Sequence, residues 1–136
     1  MYVNAYLNFK GTCEAAFRFY EQCFGGKNLV VMKNSESPMA DKVAPEMRNK
    51  VLHARLIIGE TTLMGSDAPP EYYEQPAGFA VVVSVATAEE AERIFAQLAQ
   101  GGKVRMALQE TFWATRYGMV TDRFGTPWMV NCEKAS

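Results

Sequence analysis

One stretch, Gln109–Glu133, constrains the fold of this chain more than any other. It reads QETFWATRYGMVTDRFGTPWMVNCE: a polar-aromatic segment, a strand, a polar turn at Asp122-Arg123-Phe124-Gly125, and a second strand from Pro127 to Cys132. A weaker copy lies upstream. Ile58–Asp67 aligns with Phe124–Glu133, glycine on glycine and acid on acid, at a constant offset of 66. The helical segments repeat as well. Cys13–Gln22 lies over Ala88–Gln97, with Glu14/Glu89, Ala16/Ala91, Arg18/Arg93 and Gln22/Gln97 identical at an offset of 75. With one extra residue, Gly25-Gly26-Lys27 then meets Gly101-Gly102-Lys103. Helix, stop and hairpin recurring in the same order predict a duplicated unit. Each half reads strand–helix–strand–strand–strand, and two such halves can pair their sheets around a shared cleft.

Local signals fill in the units. Asn4–Phe9 reads as a strand broken by Gly11. Thr12 is placed to cap the following helix through its hydroxyl. Cys13, Ala16, Phe17, Tyr20, Cys23 and Phe24 recur at helical spacing, and Gly25-Gly26 stops the helix. Lys27–Lys33 is a strand. Asn34–Arg48 is polar and too long for a tight turn, a length that suits function or motion. Val51–Ile58 and Thr61–Ser66 flank Gly59-Glu60 as a hairpin. The proline-rich stretch 68–76 separates a first module of about residues 1–67 from a second of about 77–136, within one domain. Phe79–Val85 reads as a buried strand. Thr87 and Glu90 form a capping box for a helix running to Gln100. Lys103–Leu108 is the next strand, and the C-terminal hairpin follows.

Composition excludes several functions. A chain of this length can bury roughly two-thirds of its unfolded surface without disulfides or metal. Its formal net charge of −1 argues against a nucleic-acid footprint. No apolar run approaches the ~20 residues that span a bilayer, and the N-terminus lacks the pattern of a secretory leader. The cysteines Cys13, Cys23 and Cys132 are odd in number and form no CxxC, which suits a reducing cytoplasm.

The order Tyr6-Leu7-Asn8-Phe9, Cys13–Phe17, Phe19-Tyr20 and Phe24-Gly25-Gly26 resembles the PhnB-like branch of the glyoxalase/bleomycin-resistance/dioxygenase (vicinal oxygen chelate) superfamily. So do His53-Ala54, Leu63-Met64, Ser66-Asp67, Gly101–Lys103, Gln109–Trp113 and Thr121–Asn131. The resemblance covers nearly the whole chain. It implies an α+β fold of two βαβββ modules, a homodimer and a small-molecule ligand. Members often carry the label demethylubiquinone methyltransferase, yet no glycine-rich strand-to-helix turn for an adenosyl cofactor is readable here. Metal-using members place His or Glu on strands facing the cleft. Those positions carry over near Ala5, Leu63, Ala80 and Met129, none of which supplies an ion with a suitable donor. No metal or cofactor is therefore expected at that position.

The candidate site residues are few. His53 is the one histidine, and histidine is the side chain whose unperturbed pKa lies near neutrality. It sits on a strand with Arg55 on the same face, as a general base or polar anchor, or as a half-buried histidine bonded across the hairpin. Strand parity groups it with Met64 and Ser66 and away from Leu63. Gln109, Phe112 and Trp113 could orient and stack on a flat or carbonyl-bearing ligand, or close the barrel end or a dimer seam. Trp128 is expected in the core or an interface. Asp67 and Asp122 read as turn residues bonding nearby N–H groups, and Arg116 and Tyr117 as a strand edge or an anion contact. These features fit a small-molecule protein with a largely apolar cleft, acting as an isomerase- or lyase-type enzyme with His53 as base. The alternatives are a non-catalytic sequestering protein and a divalent-metal enzyme with displaced ligands.

Overall fold

In a computed structural model, residues 1–135 are described; Ser136, the last position of the expected second module, lies outside them. The elements run β1 (Tyr6–Phe9), α1 (Cys13–Phe24), β2 (Lys27–Lys33), β3 (Val51–Ile58), β4 (Thr61–Asp67), β5 (Val81–Ser84), α2 (Ala88–Ala99), β6 (Lys103–Gln109), β7 (Ala114–Thr121) and β8 (Pro127–Glu133). Two compact units divide between Glu74 and Gln75. Each is a βαβββ module. The first sheet has the order β1-β4-β3-β2 and the second β5-β8-β7-β6. In each, the first strand pairs parallel with the last and the other neighbours are antiparallel. This is the α+β fold that the internal repeat predicts.

In the first unit the apolar face of α1 makes the core. Cys13, Ala16, Phe17, Tyr20 and Cys23 are buried, and Phe17 sits edge-on to Phe9 and Tyr20 at centroid distances of 6.2 and 5.8 Å. Burying each large side chain of this kind contributes about 1.5–3 kcal/mol, more than any helix propensity at stake. Gly25 ends α1 in the left-handed conformation, φ 69°. Gly65 in β4 lets α1 lie close, because a Cβ there would stand 2.7 Å from the Phe17 ring. In the second unit Ala91, Ile94, Phe95 and Leu98 of α2 are buried. Gly118 in β7 plays the same part, its missing Cβ falling 2.8 Å from the Phe95 ring.

Three local expectations are corrected. Thr12 makes no side-chain cap. Its backbone lies at φ −111°, ψ 13°, outside the extended conformation of an N-cap, and the separate first-turn donor Cys13 N–H goes to Asp67 Oδ1 at 2.9 Å, a carboxylate brought in from the end of β4. Thr87 does cap α2, accepting from Glu90 N–H at 3.2 Å. The strand expected over Phe79–Val85 is shorter and not buried: Phe79 and Val82 are 54% and 53% exposed. β5 is an edge strand of its sheet, paired with β8, so its β-branched run does not report two-sided burial. The first strand also starts at Tyr6, two residues later than expected. Within 34–50 the polar loop carries three short 3-10 turns, Asn34–Glu36, Ala40–Lys42 and Pro45–Met47.

Candidate functional site

Strand parity settles which side chains lie under a helix and which point away from it. Gly65 faces Phe17 of α1. Its neighbours Ala54, Leu56 and Leu63 are buried on the same face. Alternate positions, Arg55 paired with Met64 and Val30, and His53 paired with Met32, lie on the helix-free face of the first sheet. Tyr6, paired with Met64, joins them. The Tyr6 hydroxyl lies 3.5 Å from His53 Nδ1, the outer limit of a hydrogen bond. The two rings are tilted with centroids 5.9 Å apart. Ser66 Oγ donates to Asn8 Oδ1 at 3.4 Å on this face. A register shift falls between Met32 and Lys33, opposite His53 and Val51. Such irregularities re-aim side chains and are frequent beside functional sites.

This geometry reverses one inference from the sequence. A cleft-facing position near Leu63 sets His53 on the opposite face, away from a ligand. Leu63 is 5% exposed, under α1. Met129, its partner at the offset of 66, lies on the opposite kind of face, next to Val130, which is opposite the α2-facing Gly118. The hairpin turns explain the slip. Ile58 pairs with Thr61 across a two-residue turn, whereas Thr121 pairs with Pro127 across a five-residue turn. A constant sequence offset cannot follow both strands in register. Shifting the first position to Met64 replaces leucine by a thioether, and neither residue provides the His, Glu or Asp set that a superfamily metal needs. Among the described residues no group of three or more His, Cys, Asp or Glu side chains converges on a point.

On the second sheet, Tyr117, Met119, Met129 and Asn131 alternate with the α2-facing Gly118 and Val130. Gln109, at the end of β6, pairs directly with Tyr117 across a further register shift. Trp113 meets the Tyr117 ring edge-on at 5.3 Å and Phe112 at 4.8 Å. The Tyr117 hydroxyl donates to Met129 Sδ at 3.2 Å. Thr111 Oγ1 accepts from the N–H groups of Trp113 and Ala114 and sets the turn that carries these rings. Phe112 is 88% and Trp113 48% exposed. Gln109, Trp113 and Tyr117 therefore share one surface, and His53 and Arg55 share another, each within its own unit. Arg116 turns the other way, to Glu92 of α2 at 3.1 Å.

Asp67 and Asp122 are structural. Asp67 accepts from Gly11, Cys13 and Val51 N–H, each at 2.9 Å. Asp122 accepts from Phe124 and Thr126 N–H and from Trp128 Nε1 at 2.8 Å, and Trp128 is buried in the core. These bonds also bear on an adenosyl cofactor. Such a group would need free N–H groups at a helix N-terminus after a glycine-rich turn. One first-turn donor of each helix is already taken, Cys13 N–H by Asp67 and Glu90 N–H by Thr87, and neither helix follows a glycine-rich turn. The residues do not fit that group. Burial, followed by the Asp67 and Glu14 carboxylates, pushes the Cys13 thiol far above the ordinary thiol range, which removes it as a nucleophile.

Sequence reasoning missed Tyr6 as the neighbour of His53 and undervalued Tyr117. Parity in β1 and β7 carried both signals, but the partner strand was needed to use them.

Known proteins resemble the chain throughout its length. A family model described as 3-demethylubiquinone-9 3-methyltransferase matches residues 2–131. Protein YjdN of Escherichia coli is 36% identical, covering 98% of this chain and 97% of YjdN. The crystal structure of protein PA1353 from Pseudomonas aeruginosa is 44% identical with a TM-score of 0.89, covering 99% of each chain. A glyoxalase/bleomycin resistance protein/dioxygenase family enzyme from Burkholderia phytofirmans shares the fold at 15% identity, with a TM-score of 0.65 and coverage of 96% and 97%.

Proposed function

The chain belongs to the family described as 3-demethylubiquinone-9 3-methyltransferase, a PhnB-like branch of the glyoxalase/bleomycin-resistance superfamily, and from that premise we propose that it binds a small organic molecule on the helix-free face of its first sheet and moves a proton on it. His53 is the general base, Tyr6 its hydroxyl neighbour and Arg55 the polar anchor, with Met32 and Met64 as the pliant apolar surface. The observation that carries this is the Tyr6 hydroxyl 3.5 Å from His53 Nδ1. Contacts of this kind are often long without substrate and tighten around it. The chemistry is of isomerase or lyase type. The family's descriptive name is not carried over to the reaction, because neither helix follows a glycine-rich strand-to-helix turn.

A second reading is favoured by the exposed Phe112–Trp113–Tyr117 cluster with Gln109 opposite. Edge-to-face rings with one nearby amide suit retention of a planar ligand without turnover. The proposal extends to a homodimer in a reducing cytoplasm, the latter supported by three free, buried cysteines. Sedimentation velocity of the full chain tests the dimer.

A thermal-shift screen of small carbonyl and phenolic compounds tests both readings, since a ligand at about 100 times its Kd adds about 2.7 kcal/mol. Ligands found this way are then incubated in D2O and assayed for carbon-bound deuterium. The enzymatic reading expects exchange that His53→Ala abolishes while affinity stays within about threefold. Binding without exchange, lost on Trp113→Ala and untouched by His53→Ala, replaces it with sequestration. If no compound raises the Tm, both readings fall.

A further inference from the structure

A cavity of about 450 Å³ lies within the first unit, with neither Tyr6 nor His53 in its lining. Its volume falls within the range of ligand pockets, about 300–1,000 Å³. One wall is the 34–50 loop and the other is the Pro69-Pro70-Glu71 turn, with Leu52 and Ser66 between them. The loop is laced to itself. Asn34 and Lys50 pair through the backbone at 3.0 Å, as do Ser35 and Arg48 at 2.9 Å. The Asn34 side chain donates Nδ2 to the carbonyls of Met47 and Lys50 at 2.8 and 3.4 Å.

That assignment leaves a group over. Asn34 is 6% exposed, and its Nδ2 is committed to two carbonyls. Its Oδ1 accepts no hydrogen bond among the described residues, and yet no fully enclosed side-chain N or O atom lacks a partner. The amide oxygen of a residue 94% buried is therefore still reachable, and the opening that Asn34 lines is this cavity. The remaining polar groups there agree with it in kind. Every ionisable residue of the lining is acidic: Glu46 on one wall, Glu71 on the other, and Asp67. Asp67 is taken up by three backbone donors. Glu46 and Glu71 form no ion pair among the described residues. Lys42 and Arg48 belong to the loop but not to the lining. The cavity thus offers acceptors and negative charge against an apolar surface of Val43, Met47, Leu52 and the two prolines.

We propose that this cavity binds a compact organic amine, its protonated primary ammonium group donating to Asn34 Oδ1 and lying between the Glu46 and Glu71 carboxylates, with its apolar body on Leu52 and Met47. Oriented acceptors select a hydrogen-bond donor, and single-sign charge selects a cation, so the two together select a protonated amine. A quaternary ammonium satisfies the charge but leaves the amide oxygen unpaired.

Titration of the ¹⁵N-labelled full chain with 2-phenylethylammonium, phenethyltrimethylammonium, 2-phenylethanol and 3-phenylpropanoate tests the proposal. The expected result is saturable amide shifts at Asn34, Val43, Met47, Ser66 and Glu71 for 2-phenylethylammonium, with the other three probes about tenfold weaker or worse. The Glu46→Gln/Glu71→Gln double variant reduces the amine to the affinity of the alcohol. Leu52→Trp, which fills the cavity from an exposed strand position, abolishes binding of all the probes. His53→Ala changes nothing, which separates this site from the proton-transfer site. The proposal is overturned if no probe shifts these amides, if alcohol or quaternary cation binds as well as the amine, or if a folded double variant or a folded Leu52→Trp binds as the parent does.

Discussion

Asp67 and Asp122 direct their carboxylates to backbone and ring donors rather than to a ligand. Asp67 is 7% exposed and closes three N–H groups from three segments: the β1–α1 turn, the start of α1 and the start of β3. Asp67→Ala leaves these donors without their acceptor, and each such group costs about 1–3 kcal/mol. The expected loss in urea denaturation is about 3 kcal/mol or more, with Asp67→Asn intermediate. Cys13 lies beside this carboxylate and is fully buried. Its thiol pKa is raised in the folded state, so the folded chain holds that proton where the unfolded chain releases it. The Cys13 contribution is therefore complete below the ordinary thiol range and erodes as pH rises above it. Between about pH 8 and about pH 10 the parent should lose more stability than Cys13→Ala does, measured by urea melts at each pH. Asp122 was legible as an acceptor of nearby N–H groups from its turn context, whereas Asp67, read the same way, ends β4. That Asp67 reaches across to α1 was not legible, because its partners are remote in sequence.

The two helices share a pattern and differ in their first turns. Thr87 caps α2 through its hydroxyl, while Thr12 makes no such bond. Thr87→Ala should cost about 1 kcal/mol and Thr12→Ala close to nothing, read from urea midpoints at constant m. From sequence the two threonines looked equivalent, each standing just before a helix. The difference comes from the backbone: Thr87 is extended at φ −128°, ψ 153°, the conformation that aims an N-cap hydroxyl at the first turn, whereas Thr12 sits at φ −111°, ψ 13°. Helix-to-sheet distance is set at Gly65, where a methyl group would meet both Phe17 and the Leu7 carbonyl oxygen at under 3 Å. Backbone cannot move as a side-chain tip can, so Gly65→Ala should destabilise by about 1–3 kcal/mol through overpacking. Gly59, with nothing within 4 Å of a Cβ, lacks that steric conflict. The apolar faces of α1 and α2 were readable because helical spacing exposes them directly. The face of each strand was less so, because one residue of slip reverses it.

For the whole chain, exposed connections carry the vulnerability to proteolysis. Tyr72 is 76% and Phe112 88% exposed, each in a connection between strands. Limited chymotrypsin should make its first internal cuts after these residues, and intact-mass analysis of the fragments checks it. Cuts within strands instead would contradict the assigned element boundaries. The sequence by itself determined the duplicated βαβββ order, the buried faces of the two helices and the glycine stops. All of these rest on interactions within a few residues or on a pattern repeated along the chain. It also supplied the polar residues near which a ligand is proposed, His53 and Arg55 among them. Tertiary structure alone decided which face of each sheet those residues occupy, that Tyr6 stands beside His53, and that Leu63 and Met129 are not equivalent. It alone formed the cavity under the 34–50 loop. The physical reason is strand register. A sheet has a side-chain period of two, and turns of unequal length change which residues meet across it, so only the pairing of remote strands shows which groups converge.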